Sequence, residues 1–277
     1  QILGSSISNT YGVDALTGDL VIKQTAGSPR SGSGAKAGLW GVSWSIGEIP
    51  EDFSIIVPGH SGLRLDAKSP GDRHVFDYPQ AWEAQFVIVE GTQGGFYIFA
   101  DDPGGRYKRL TVNRTRGGWQ LQFATINDAP FESLTDCTSV RWRLNAYDGD
   151  WRIPARRYRQ WATENFKPET LASRGPAWAR DIRTCVIAGI SEPLIEALAK
   201  RLDPKQTLLY VPDWRQDGYD RDYPDYTEPR ENFGPFLARA HELGFRVMPH
   251  VNYFGVDPLN AEYREFEAFH VRGPWGK

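Results

Sequence analysis

The hydrophobic pattern of this chain changes its period once, and that change limits the folds open to it. Up to about residue 150, apolar and polar residues alternate, as in Trp119–Phe123, whose apolar residues share one side and whose glutamines share the other. Helical spacing begins at Pro154, and beyond Asp181 apolar strands alternate with amphipathic helices. A period of two predicts half-buried strands, whereas alternating strands and helices predict a parallel sheet.

Residues 1–150 are predicted to form antiparallel sheets packed as a sandwich. Val140–Ala146 alternates between apolar and polar residues, as a strand with one dry face does. Trp82–Glu90 and Gly95–Ala100 are predicted strands, joined by the short hairpin signal Gly91–Gly94. The Gly- and Ser-rich stretch Ala26–Gly38 is predicted to be a mobile loop.

Residues 151–180 are predicted to be a linker helix followed by a connector. Tyr158, Trp161, Ala162 and Phe166 recur at the spacing of one helical face. Pro154 suits the first turn of that helix, since its missing N–H has no partner there.

Residues 181–277 are predicted to be the first three βα units of a TIM barrel, which takes roughly 31 residues per unit. In chain order, the predicted elements are strand Ile182–Ala188, a helix capped by Ser191, strand Thr207–Pro212, helix Phe233–Leu243 ended by Gly244, strand Phe245–Val251 and helix Ala261–Phe269. Three units would leave such a barrel incomplete. Because the chain opens with Gln1, we expect either a removed signal peptide, and hence a secreted or periplasmic protein, or an excerpt of a longer one.

The second predicted parallel strand runs into a long loop, Asp213–Arg230, rich in carboxylates and aromatic residues. Sites of parallel sheets form at the carboxyl ends of strands, and a βα connection usually has only roughly 2–6 residues. Carboxylates accept hydrogen bonds from sugar hydroxyls, and aromatic rings stack on sugar rings. The alternative is a polar loop ordered by ion pairs of its aspartates with Arg215 and Arg221. The predicted substrate contacts in this loop are Asp213, Trp214, Asp217 and Tyr223.

The third predicted strand places Met248, His250 and Asn252 on one face. If that face lines a barrel, His250 and Asn252 point toward the same site and are candidate substrate contacts. His250 could also orient Asp213, and the alternative is a histidine satisfied within the core.

Composition excludes several classes of function. With 32 basic and 35 acidic residues the net charge is −3, so there is no basic excess to bind nucleic acid. No apolar run approaches the ~20 residues of a bilayer span, so we expect no membrane insertion. The only cysteines, Cys137 and Cys185, are predicted to be inert thiols. No zinc, calcium or phosphate motif is complete, and we expect neither a metal nor a cofactor.

The order of parts resembles glycoside-hydrolase-like bacterial proteins in which a galactose-mutarotase-type β-supersandwich precedes a (β/α)8 barrel, a plan shared by α-galactosidases and endo-α-N-acetylgalactosaminidases. The segments that carry the resemblance are Tyr78–Pro79, Gly95–Asp101, Arg157–Ala162, Asp222–Tyr226 and Gly244–Asn252. The resemblance implies a supersandwich in the first half and a carbohydrate substrate.

The resemblance also implies a retaining glycosidase, which needs two carboxyl groups flanking the scissile bond. In related barrels the nucleophile usually comes from the fourth strand, beyond the three predicted here. No catalytic pair is therefore assigned, and we expect the full protein to be a glycosidase and this chain alone to be inactive.

Two other functions stay open at the level of sequence. One is a non-catalytic carbohydrate-binding protein that uses the sandwich as its binding surface. The other is a sugar epimerase, which typically needs a His–Glu acid–base set in the sandwich groove. His60 and His74 lie in the right half, but the sequence places both in turns.

Overall fold

The computed structural model describes residues 6–27, 38–128, 134–226, 228–252 and 255–270. The chain divides into two compact units, one running to Pro168 and the other starting at Glu169. Most of the loop predicted over Ala26–Gly38 lies outside the described residues.

The first unit is built from antiparallel strands and one long helix. Eight strands form one sheet in the order β1-β2-β12-β8-β7-β4-β5, with β11 also paired to β2, and four form a second sheet in the order β3-β10-β9-β6. Their bounds are β1 Ser6–Val13, β2 Leu20–Gly27, β3 Gly41–Ile49, β4 Ser54–Val57, β5 Leu63–Leu65, β6 Arg73–Tyr78, β7 Phe86–Glu90, β8 Gly94–Asp101, β9 Lys108–Thr115, β10 Gly118–Ile126, β11 Asp136–Thr138 and β12 Arg141–Asp148, followed by helix α1 Arg152–Phe166.

The two sheets face each other across one apolar core, which confirms the predicted antiparallel β-rich unit. The alternation in β10 works as expected, since Trp119, Leu121 and Phe123 are almost wholly buried. Trp142 of β12 packs against Phe123 with ring centroids 5.0 Å apart. Most of the tryptophan-rich composition of this half is therefore used in sheet packing.

The strand predicted to start at Trp82 starts instead at Phe86. The chain turns before it, because the backbone N–H of Trp82 donates to Asp77 O (3.0 Å) and the indole N–H donates to Phe86 O (2.9 Å). Trp82 is nevertheless fully buried. Its apolar side chain thus predicted a core position correctly, although the residue is not part of the strand.

Helix α1 covers the outer side of the eight-stranded sheet and belongs to the first unit. Tyr158 stacks on Phe86 with centroids 4.3 Å apart, and Trp161 meets Phe99 edge-on at 5.7 Å. The Tyr158 hydroxyl accepts a hydrogen bond from the backbone N–H of Gln85 (3.2 Å). The predicted helical face is thus a packing face.

The second unit carries a three-stranded parallel sheet in the order β13-β14-β15. Its elements are α2 Leu171–Arg174, a 3₁₀ turn Ala177–Arg180, β13 Thr184–Ile187, α3 Glu192–Ala199, a 3₁₀ turn Pro204–Gln206, β14 Thr207–Val211, α4 Phe233–Leu243, β15 Arg246–Pro249 and α5 Tyr263–Glu267. The last helix is shorter than predicted, and α2 occupies part of the predicted connector. No helix in the described ranges is long and apolar enough to cross a bilayer.

Local signals account for the start of α3 and for the end of α4. The Ser191 hydroxyl accepts a hydrogen bond from the backbone N–H of Leu194 (3.4 Å) at the start of α3. Gly244 ends α4 in a left-handed conformation (φ 101°) that favours glycine. Both ends match the sequence-based prediction.

Candidate functional site

The parallel sheet has one covered and one uncovered face. On the covered face Leu209 and Val211 pack against Ile195 of α3 and Phe236 of α4. On the other face Ile187, Tyr210 and Met248 lie side by side in register across the three strands. Ile187 is 74% exposed and Met248 43%, so the described elements leave this apolar face open.

A cavity of about 630 Å³ opens at the carboxyl ends of β13 and β14, where the sequence predicted a site. Ile187 and Pro212 form apolar wall, and Gly218 contributes backbone. The polar side chains that line it are Tyr210, Asp213, Asp217, Tyr219, Arg221 and Arg230.

Arg215 holds the loop that forms the outer wall of this cavity. Its guanidinium is buried against the neighbouring rings of Tyr223 and Tyr226, 4.8 and 5.0 Å from their centroids. It donates hydrogen bonds to the main-chain oxygens of three loop residues, Gly218, Arg221 and Asp225. The loop is therefore organised by an arginine, as the alternative interpretation of the sequence required. However, that arginine bonds carbonyl oxygens instead of aspartate side chains.

Asp213 lies two residues beyond the end of β14, and only one of its carboxylate oxygens has a hydrogen-bond partner among the described residues. Its Oδ2 accepts a hydrogen bond from Arg230 Nη2 at 2.5 Å in an ion pair that is half exposed. Its Oδ1 is buried and has no hydrogen-bond partner among the described residues. A buried carboxylate oxygen without a donor costs free energy, and so a donor from water or a ligand would stabilise it.

His250 follows β15 and is fixed from two directions. Its backbone N–H donates to Val211 O (3.0 Å), and its carbonyl accepts a hydrogen bond from the Trp214 indole N–H (2.8 Å). Its ring Nδ1 lies 2.5 Å from the Tyr210 hydroxyl. The predicted pairing with Asp213 is wrong, because Asp213 is paired with Arg230 and the imidazole with Tyr210.

Three other predicted contacts are engaged in packing in this structure. The Trp214 ring stacks on Tyr226 with centroids 6.5 Å apart. Tyr223 is only 5% exposed. Asn252 exchanges backbone hydrogen bonds with the Tyr226 hydroxyl (2.6 and 2.7 Å), and its Oδ1 accepts one from the N–H of Gly255 (2.9 Å).

Of the six predicted contacts, the structure places Asp213 and Asp217 at the cavity. Sequence reasoning missed Tyr210, Tyr219, Arg221 and Arg230. Tyr219 stood in the same loop, 49% exposed, and its position among carboxylates was the available signal. Tyr210 gave none, since a continuous apolar strand is expected to be covered on both faces.

The two histidines weighed for epimerase chemistry are differently placed. His60 lies in a turn with a left-handed backbone (φ 49°), as predicted. The prediction that His74 lies in a turn is wrong, since His74 lies within β6 and pairs with Val112 of β9. Across the described residues, no group of three or more His, Cys, Asp or Glu side chains is placed to hold a metal ion.

Comparison with known proteins gives a family match and a fold. Residues 138–272 match the family model described as Domain of unknown function (DUF6259). No curated protein matches the chain.

Among solved structures, the α-N-acetylgalactosaminidase NagBb from Bifidobacterium bifidum in complex with GalNAc aligns over 99% of this chain and 50% of its own, with 14% identity and a TM-score of 0.73. Its ligand-free form aligns over 98% and 50%, with 13% identity and a TM-score of 0.73. The GH36 α-galactosidase AgaB from Geobacillus stearothermophilus aligns over 98% and 40%, with 12% identity and a TM-score of 0.49.

At this level of identity the likeness to NagBb shows a shared fold. The chain spans half the length of NagBb. The chain therefore shares with NagBb a fold in which an antiparallel β-rich unit is followed in sequence by a parallel α/β unit.

Proposed function

We propose that the cavity at the ends of β13 and β14 binds a saccharide, and that the full-length protein is a glycoside hydrolase. The observation that carries this proposal is the composition of the cavity. It combines an exposed aromatic ring, Tyr219, with a carboxylate oxygen of Asp213 that is buried without a donor. Sugar hydroxyls supply donors, and the apolar faces of sugar rings stack on aromatic side chains.

The uncovered face of the parallel sheet supports a closed barrel around this site. Ile187 and Met248 are too exposed for a finished core, whereas the helix side of the same sheet is well packed. In a (β/α)8 barrel the face opposite the helices is the interior, filled by side chains from all eight strands. Further strands would bury these residues and complete the rim of the site.

The carboxylates of this cavity fit binding better than bond cleavage. Glycoside hydrolysis needs an acid and a second carboxylate on opposite sides of the glycosidic bond. Asp213 is held in an ion pair with Arg230, which fixes it as a hydrogen-bond acceptor. We therefore assign substrate binding to Asp213, Asp217 and Tyr219, and assign the catalytic carboxylates to later strands of the barrel.

The experiment is an activity screen of the full-length protein on aryl glycosides and natural glycans. Because NagBb is named for α-N-acetylgalactosaminide cleavage, the panel starts with α-N-acetylgalactosaminides and α-galactosides. We expect turnover on at least one α-linked substrate, and a higher KM in Asp213→Asn. Asp150→Asn, which removes an exposed charge in the sandwich unit, is the matched control. A protein that turns over no glycoside in the panel would contradict the proposal.

A second candidate is a carbohydrate-binding protein without catalysis. The ion pair between Asp213 and Arg230 favours it, since it leaves a site that can bind a sugar without a free general acid. Saturable saccharide binding without turnover by the full-length protein would select this candidate.

A further inference from the structure

Tyr210 is the polar side chain at the centre of the uncovered sheet face. It lies on the middle strand β14, with Ile187 on one side and Met248 on the other. It also lines the cavity. The hydrogen bond that the Tyr210 hydroxyl makes therefore determines whether a ligand in the cavity meets a donor or an acceptor at this residue.

The partner of that hydroxyl is the imidazole of His250. The Tyr210 oxygen and His250 Nδ1 are 2.5 Å apart, and the two rings meet edge-on with centroids separated by 5.8 Å. The ring of Tyr219 packs on the imidazole with a centroid distance of 5.1 Å. Two backbone hydrogen bonds hold the main chain of His250, and these side-chain contacts hold its imidazole against Tyr210.

The contact admits two directions, and the chemistry of the two groups favours one of them. A phenol O–H is a stronger acid than a neutral imidazole N–H, and an imidazole nitrogen is a stronger base than a phenol oxygen, so the stronger bond has Tyr210 as its donor. Partial burial also raises the pKa of Tyr210, which keeps the proton on its oxygen at neutral pH. A neutral imidazole accepts at one nitrogen and donates at the other. When Tyr210 donates to Nδ1, the imidazole proton is on Nε2, and the lone pairs of the phenol oxygen are left for the cavity.

We propose that His250 is a positioning residue, which by accepting a hydrogen bond from the Tyr210 hydroxyl leaves the Tyr210 oxygen as an acceptor facing the cavity. His250 thus acts on the ligand through Tyr210. The inference rests on the proposed function only in taking the ligand to be a saccharide.

This arrangement specifies the chemistry of the bound group. Tyr210, Asp213 and Asp217 would all present acceptors to the ligand. The part of the ligand next to Tyr210 is therefore a donor, such as a free hydroxyl or an amide N–H. A methyl ether or a carboxylate at that position would be rejected, because it would leave two acceptors facing each other.

The direct test needs no ligand. This chain contributes five histidines to the full-length protein, and a long-range ¹H–¹⁵N spectrum at about pH 8, where ordinary imidazoles are neutral, reports the protonated nitrogen of each ring. His250→Gln assigns the His250 signals. We expect His250 to be unprotonated at Nδ1 and protonated at Nε2, and to shift toward the tautomer mixture of a free imidazole in Tyr210→Phe.

The test has two controls, one for the specificity of the shift and one for the folding of the variant. His241→Gln, at the exposed end of α4, is the control and leaves the His250 signals unchanged. Unaltered signals of the other histidines in Tyr210→Phe show that the variant folds. A proton on His250 Nδ1, or identical His250 shifts in wild type and Tyr210→Phe, would overturn the inference.

A ligand measurement tests the coupling. With galactose and N-acetylgalactosamine as probes, Tyr210→Phe and His250→Gln should each weaken binding by about three- to tenfold, the size of one neutral hydrogen bond. The double variant should lose no more than the worse single variant. Additive losses would show that His250 does not act through Tyr210. If neither sugar binds the wild type, it is the proposed function that fails, and the tautomer alone decides this inference.

Discussion

At the scale of single residues, the fully buried charged side chains in the described part of the chain have close partners. Lys108 is completely buried, and its ammonium lies 2.9 Å from Asp102 and 2.8 Å from Gln85 Oε1. Burial lowers the pKa of Lys108, while the Asp102 carboxylate opposes that change. A buried ammonium is tolerated only with such partners, so removing one partner exposes the desolvation cost of the other.

We expect Asp102→Asn to lower the free energy of unfolding by about 3–5 kcal/mol, because it leaves the Lys108 charge buried without a counter-ion. Urea unfolding followed by tryptophan fluorescence measures this loss. Asp150→Asn removes a carboxylate from an exposed pair with Arg152 and should leave stability nearly unchanged. Equal losses in the two variants would contradict the account.

Asp14 gives the residue-scale prediction for pH. A hydrogen bond from Arg143 and two backbone N–H groups lower the pKa of Asp14 to about 2, from an ordinary value of 3.8. Because the folded pKa is the lower one, this stabilisation is present above about pH 4 and is lost as the pH falls toward 2. Asp14→Asn should therefore flatten the acid limb of a plot of melting temperature against pH. Asp128→Asn, at an exposed site, should keep the wild-type slope.

Residues next to a strand end were easier to predict than residues inside a strand. Asp213 could be placed from sequence, because it directly follows an apolar strand and parallel strands end at one edge. Tyr210 could not, since a continuous apolar strand is expected to be covered on both faces, and nothing in the sequence shows that this side chain lines a cavity. Tyr223 looked available for stacking, but a sequence does not show that the Arg215 guanidinium lies on its ring.

At the scale of elements, the loop after β14 depends on one side chain. Arg215 connects carbonyl oxygens at three places along it and so holds the cavity wall in place. Helix ends were predictable because Ser191 and Gly244 act on their immediate neighbours. The conformation of the loop after β14 was not predictable, because the carbonyl oxygens that Arg215 binds occur in every residue and carry no sequence signal.

Arg215→Lys should loosen this loop without unfolding the chain. Lysine keeps the charge but lacks the planar fork that reaches several carbonyls at once. We expect amide hydrogen exchange across residues 216–226 to rise by about tenfold or more, as for the loss of one or two hydrogen bonds. Arg201→Lys, at an exposed position after α3, is the matched control. Unchanged exchange in the loop of Arg215→Lys would show that Arg215 does not organise it.

At the scale of the whole molecule, the uncovered face of the parallel sheet exposes apolar side chains that further strands would bury. The exposed thiol of Cys185 lies on the same strand as Ile187, two residues away, and therefore on the same face. The buried thiol of Cys137 lies in the sandwich unit and serves as an internal reference. A closed barrel would bury the first thiol as well.

Thiol labelling tests that closure. In the 277-residue chain alone, Cys185 should react without denaturant while Cys137 does not. In the full-length protein both should react only after unfolding, since the barrel interior would cover Cys185. Rapid labelling of Cys185 in the folded full-length protein would argue against a closed barrel.

The most direct test of the proposed saccharide site is a calorimetric titration of the full-length protein with N-acetylgalactosamine and galactose, repeated on Asp213→Asn. We predict saturable binding of at least one sugar by the wild type. Loss of the charged acceptor should weaken that binding by about tenfold or more. Equal affinity in wild type and Asp213→Asn would place the sugar elsewhere on the molecule and contradict the account.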